Sequence, residues 1–180
     1  MKLYVIRHGE TLSNLSGVVS GRSDEGLTEN GIKQAQELNR KLEKISFDAV
    51  YVSPMKRTIE TANIIVPEYQ YAIDERIAER DLGSINNRTI DELWELPLWN
   101  SLTEKRTAEG AETFASGLER VEDFLASLKK QFSDKKDAKI LLITHSFVSR
   151  CLWAIKQGVS EDLDYTKFHH KNNEIVIYDL

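Results

Sequence analysis

Two rhythms of apolar and polar residues alternate along the chain. Short, mostly apolar runs occur at KLYVI (2–6), FDAVYVS (47–53), YQYAI (69–73), KILLIT (139–144) and EIVIYDL (174–180). Each is of strand length and rich in β-branched or aromatic residues, so each predicts a strand. Between them lie stretches with helical spacing. In LTENGIKQAQELNRKLEKI the apolar stripe is Ile32, Ala35, Leu38, Leu42 and Ile45, with Thr28 placed to cap the N-terminus. SPMKRTIETANII predicts a helix capped by Ser53, with Pro54 in its first turn. TIDELWEL carries a capping box, Thr89 with Glu92. ETFASGLERVEDFLASLKKQF repeats apolar residues at Phe114, Leu118, Val121, Leu125 and Leu128, and SFVSRCLWAIKQG ends at Gly158. Strands alternating with helices imply an α/β fold of three layers, with helices on both faces of a mostly parallel sheet and one antiparallel strand at an edge.

The segment 84–112 breaks both rhythms. LWELPLWNSL crowds Trp94, Leu96, Leu98, Trp99 and Leu102 around Pro97, which excludes one plain helix. Two readings stay open: packing onto the core, or a cap over a pocket.

The totals narrow the picture. The 180 residues suffice for one domain, residues 1–180, with a sizeable core. No apolar run approaches bilayer length, and the N-terminus lacks the pattern of a signal peptide. The net charge is −5 with scattered basic residues, which argues against a nucleic-acid surface. Cys151 is alone, so no internal disulfide forms, and its helical setting reads as core. These features lead us to expect a cytoplasmic protein that binds neither nucleic acid nor membrane.

The chemistry lies at the ends of the strands. KLYVI runs into Arg7-His8-Gly9, DAVYV into Ser53-Pro54 with Arg57 one turn later, and KILLI into Thr144-His145-Ser146. In open α/β sheets the ligand crevice lies outside the carboxyl ends of the strands. If these strands are parallel neighbours, two histidines, two arginines and two helix N-termini converge on one spot. That spot favours an anion, and the guanidinium forks make phosphate the best match. A neutral imidazole held there is a nucleophile, and arginines around it would keep it neutral and stabilise charge on a transferring phosphoryl group. The leaving oxygen needs a proton, which a carboxylic acid can supply. Glu79 and Asp81, in IAERDLGS after the third strand, both qualify.

A metal centre is the weaker reading. His8 and His145 lack chelating spacing, and the adjacent His169 and His170 read as solvated loop residues.

RHGET, GLTENGIKQAQEL, YVSPMKRTIETA, AERDLG and LLITHSFVSR, in this order along nearly the whole chain, resemble the signature blocks of the histidine phosphatase superfamily, in its phosphoglycerate mutase-like branch. The resemblance implies that fold and a phosphohistidine on His8. It implies that Arg7, Arg57 and His145 hold the phosphoryl group, that Asn14, Ser20 and Gly21 contact phosphate or substrate, and that Glu79 donates the proton; Ser146, a departure from the family pattern, can still contact phosphate or substrate through its backbone N–H and hydroxyl. It implies no metal and no dissociable cofactor.

There are departures from the family pattern. Ser146 stands where glycine is usual, Asn87 stands where many members have a second glycine, and Ile90 stands where the mutases carry a lysine. Ile90 and the short chain favour a phosphatase acting on a small phosphorylated metabolite, or a phosphoprotein, over a mutase. A non-catalytic module that binds phosphorylated ligands is the further alternative. Natural substrate and oligomeric state stay open.

Overall fold

The computed structural model describes residues 1–85 and 88–180, so Asn87 lies outside the described residues. Its sheet has five strands: β1 (Lys2–Arg7), β2 (Ala49–Val52), β3 (Ala72–Ile73), β4 (Lys139–Thr144) and β5 (Ile175–Asp179). Their order is β3-β2-β4-β1-β5. The pairings β1–β4, β4–β2 and β2–β3 are parallel, and β5 runs antiparallel on the edge beside β1.

Strand residues alternate between faces. Leu3, Val5, Ile140 and Leu142 face one core, built with α5 (Phe114–Gln131) and α6 (Ser146–Gln157). Tyr4, Ile6, Leu141 and Ile143 face a second core, built with α2 (Glu29–Leu42) and α3 (Lys56–Ile65). Both faces are covered, which is why β1 and β4 read as unbroken apolar runs.

Thr28 caps α2 through the amide of Gly31. The buried stripe is Gly31, Ala35, Leu38 and Leu42; Ile32 is 39% exposed and Ile45 lies beyond the helix. Gly31 takes the inward position because the loop after β1 passes directly over it. A Cβ on Gly9 would come within 2.6 Å of the Gly31 carbonyl.

The predicted cap of α3 is corrected. The helix starts at Lys56, with Met55 as its capping residue and no side-chain cap bond. The Ser53 hydroxyl is instead held by His145 Nε2 at 2.6 Å. The YQYAI strand shrinks to Ala72–Ile73, both exposed at the sheet edge.

A short helix, α1 (Leu12–Ser16), escaped the sequence pattern because none of its residues is buried. Among 84–112, α4 (Ile90–Trp94) has the expected capping box. Leu82, Ile85, Leu93, Leu96, Trp99 and Ala111 form a third small core, separate from the two against the sheet. Among the described residues no helix is long and apolar enough to cross a membrane.

Candidate active site

The register brings the strand ends together. Arg7 pairs with Thr144 across β1 and β4, and the His8 amide donates to the Thr144 carbonyl at 3.1 Å. Ser53, just past β2, donates its amide to the Ile143 carbonyl on the other side of β4. His8 and His145 are therefore neighbours, with ring centroids 5.2 Å apart.

His8 is buried and its ring is fixed at both nitrogens. Nδ1 lies 2.7 Å from the Gly9 carbonyl, which can only accept, so Nδ1 carries the proton. Nε2 then holds a lone pair, and Arg57 Nε donates to it at 3.3 Å. Burial first, then the Arg57 and Arg7 charges, hold the His8 pKa well below its ordinary value, so the ring is neutral at pH 7.

Arg57 is completely buried. Its Nη1 donates to the Ser23 carbonyl at 3.1 Å and its Nη2 to the Gly21 carbonyl at 2.7 Å. These bonds fix the loop 20–23 against the site. Arg7 Nη1 donates to the His170 carbonyl at 2.8 Å, while its buried Nε is unpartnered among the described residues. His145 is fully buried, with its pKa well below the ordinary value, first through burial and then through Arg57. Its Nδ1 is unpartnered among the described residues and lies 3.8 Å from Glu79 Oε2.

The two candidate acids occupy different surroundings. Glu79 lines the cavity, and its Oε1 accepts from the Arg80 amide at 2.8 Å. Asp81 is held by Arg106 Nη1 at 2.7 Å and by the Gly83 amide at 2.9 Å, and does not line the cavity. Thr144 donates its hydroxyl to the Ile77 carbonyl at 2.8 Å, which anchors the turn before Glu79 to the end of β4.

Together these groups open onto a cavity of about 610 Å³. Arg7, His8, Asn14, Ser20, Gly21, Glu79 and Ser146 all line it, while Arg57 and His145 stand behind that wall. Asn14 Oδ1 accepts from Asn172 Nδ2 at 3.1 Å, and the same Nδ2 donates to the His8 carbonyl at 2.7 Å.

The whole chain from residue 3 to residue 180 matches the model of the histidine phosphatase superfamily, branch 1. The chain belongs to this superfamily. It is 30% identical over 175 residues to phosphoserine phosphatase 1 of Hydrogenobacter thermophilus, covering 93% of this chain and 80% of that protein. It is 27% identical over 167 residues to a probable phosphoglycerate mutase, GpmB, of Proteus mirabilis, covering 88% of this chain and 76% of that one. The α-ribazole phosphatase of Shigella flexneri superposes with a TM-score of 0.79 at 27% identity, covering 98% of this chain and 89% of that chain. The chain is a phosphoric monoester hydrolase of the histidine phosphatase type.

Several residues of this histidine phosphatase site were missed in the sequence. His170 is buried, not solvated: its Nδ1 meets Ser149 Oγ at 2.7 Å and its Nε2 meets the Glu174 carbonyl at 3.0 Å. A loop histidine just before a strand gives no hint of that burial. Asn172 lies in the same loop and carries no pattern at all. Arg150 lines the cavity from α6, and here a signal existed, because Ser146 and Arg150 are four apart on the helix that starts at the phosphate end. Among the described residues no cluster of histidine, cysteine or acidic groups could hold a metal ion.

Proposed function

We propose that this histidine phosphatase hydrolyses small phosphomonoesters through a phosphohistidine on His8, with Glu79 as proton donor and then base. The observation that carries the reading is the state of His8: Nδ1–H tied to the Gly9 carbonyl, and Nε2 neutral and turned to Arg57. In the first step the Nε2 lone pair forms a bond to phosphorus while the ester P–O bond breaks. The leaving oxygen takes a proton from Glu79. In the second step Glu79 removes a proton from water, the water oxygen attacks phosphorus, and the P–N bond breaks. His8 is neutral again and inorganic phosphate leaves.

Arg7, Arg57 and His145 are the groups proposed to hold the phosphoryl oxygens. Unpartnered buried nitrogens on Arg7 and His145 support this assignment, because a phosphoryl oxygen would satisfy both. Asn14, Ser20, Gly21 and Ser146, on the cavity wall, are assigned to phosphate or substrate contacts. The segment 84–112 is assigned as a cap, supported by Ile90, Leu93, Trp94 and Trp99 on the same wall.

The mutase relatives favour a second reading, in which the phosphoryl group returns to substrate. Ile90 at the expected lysine position counts against it, because an apolar side chain now lines the cavity there. The test is release of phosphate from an aryl phosphate with a chelator present. Turnover supports the hydrolase. Conversion of 3-phosphoglycerate only with a bisphosphate primer supports the mutase, and tight phosphate binding without turnover supports a binding module.

A further inference from the structure

The two histidines of the site are held by different kinds of partner. His8 Nδ1 lies against the Gly9 carbonyl, which can only accept, so the proton sits there and Nε2 is bare. His145 Nε2 lies 2.6 Å from Ser53 Oγ, a hydroxyl that can donate or accept. The direction of that bond decides what the other edge of His145 offers to the site.

Ser53 and His145 are both fully buried, so each of their hydrogens has to find a partner inside the protein. His145 carries a single ring proton at neutral pH, because burial and the Arg57 charge disfavour a second. With that proton on Nε2, it would be donated to Ser53 Oγ. The hydroxyl hydrogen would then lack an acceptor, since among the described residues His145 is its hydrogen-bond partner. The bare Nδ1 lone pair would also face Glu79 Oε2 at 3.8 Å. With the proton on Nδ1, both faults disappear. Ser53 donates to Nε2, and Nδ1 presents an N–H on the side of Glu79. The 3.8 Å to Glu79 is too long for a hydrogen bond, and Nδ1 has no partner among the described residues. The N–H is left for a phosphoryl oxygen.

Ser53 itself stands behind the cavity wall, out of reach of substrate. Its amide donates to the Ile143 carbonyl at 3.0 Å, and its carbonyl accepts from Thr58 Oγ1 at 2.8 Å. The end of β2 and the first turn of α3 therefore hold the hydroxyl in place before any ligand arrives.

We propose that Ser53 is a positioning residue, which fixes His145 as the Nδ1–H tautomer and so makes its free edge a donor to the phosphoryl group. The reversed ring would turn a lone pair toward an anion. This deepens the phosphatase reading and rests on it.

The experiment joins nitrogen NMR of protein isotope-labelled at its imidazoles to kinetics on an aryl phosphate. In wild type at neutral pH, His145 Nδ1 should give the protonated signal and Nε2 the unprotonated one. Ser53→Ala removes only the hydroxyl. It should shift the His145 proton toward Nε2 and lower kcat/KM by about tenfold, the usual worth of one hydrogen bond. Ser53→Thr keeps a hydroxyl and should restore the tautomer and part of the rate. In a His145→Ala background, Ser53→Ala should change kcat/KM by less than about twofold, because no ring is left to orient. Affinity for inorganic phosphate reads the same cycle without turnover. A wild-type ring protonated at Nε2, an unchanged tautomer in Ser53→Ala, or an equal loss in both backgrounds overturns the proposal. Should a Ser53 variant not fold, the wild-type spectrum decides. Absence of turnover on every ester, with the tautomer shift intact, sinks the phosphatase reading and leaves the Ser53 assignment standing.

Discussion

Arg57 Nε points at His8 Nε2 across 3.3 Å, on the nitrogen that the Gly9 carbonyl leaves free. The bond fixes which nitrogen is the nucleophile and sets a cation beside the place where phosphoryl charge develops. His8→Ala should therefore abolish turnover while the melting temperature stays close to wild type. Rapid quenching of wild type with substrate should trap an acid-labile, base-stable adduct on His8, phosphorylated at Nε2. An adduct at Nδ1, or on another residue, would end this assignment, and phosphorus NMR of the isolated peptide distinguishes the two nitrogens.

Arg57→Ala should lower kcat/KM by about 10²–10³, as loss of one preorganised electrostatic contact commonly does. Arg57→Lys should also hurt, because lysine keeps the charge but cannot serve His8, Gly21 and Ser23 at once. Near-normal turnover in Arg57→Ala would place the arginine outside the chemistry.

Glu79→Gln and Asp81→Asn separate the two acids. Glu79→Gln should slow alkyl phosphates by about 10²–10⁴ and aryl phosphates less, since a good leaving group needs little proton assistance. Asp81→Asn should leave that leaving-group dependence unchanged, because its partners are Arg106 and the Gly83 amide. The reverse pattern in single-turnover phosphorylation would move the acid role to Asp81.

Much of this was legible in the sequence, for one physical reason. Parallel strands buried on both faces read as apolar runs, and the residues just past their C-terminal ends must lie at one edge of the sheet. That rule alone gathers Arg7, His8, Arg57 and His145. Side chains fixed by loops were illegible. Ser53 read as a helix cap because its position suits one, and only the approach of His145 explains its actual bond. Ile32 fitted the stripe of α2 until Gly31 took the inward place. His170 and Asn172 are placed by a loop whose path no periodicity encodes.

Stability should fall on mild acidification. Burial is the first cause that lowers the pKa of His8, His145 and His170 in the folded protein. The unfolded chain takes up protons on them near the ordinary value, about 6.5. Below that pH the unfolded state binds more protons, so folding stability drops as pH falls, by at most about 1.4 kcal/mol per pH unit for each histidine. Urea midpoints between pH 8 and pH 5 check this. A flat profile below pH 6.5 would mean that these rings charge without unfolding.

The tryptophans of 84–112 test whether that segment governs the substrate. Trp99 is 3% exposed, sits in the small third core, and supports the Arg80 guanidinium through both its ring and its carbonyl. Trp99→Ala should therefore cost about 3–5 kcal/mol of stability, the usual range for deleting a buried tryptophan. It should depress turnover on every ester together, because Arg80 is the residue directly after Glu79. Trp94 is only partly buried, lines the cavity, and lies against Arg150. Trp94→Ala should shift the melting temperature less than Trp99→Ala and change the ranking of esters that differ in bulk and charge, while phosphate inhibits as before. The two variants are compared over one panel of esters with melting temperatures measured alongside. A uniform fall in both, scaled to lost stability, would mean that the segment only packs. Reordering in Trp94→Ala alone would mean that the segment forms one wall of the substrate site and Trp99 holds that wall in place.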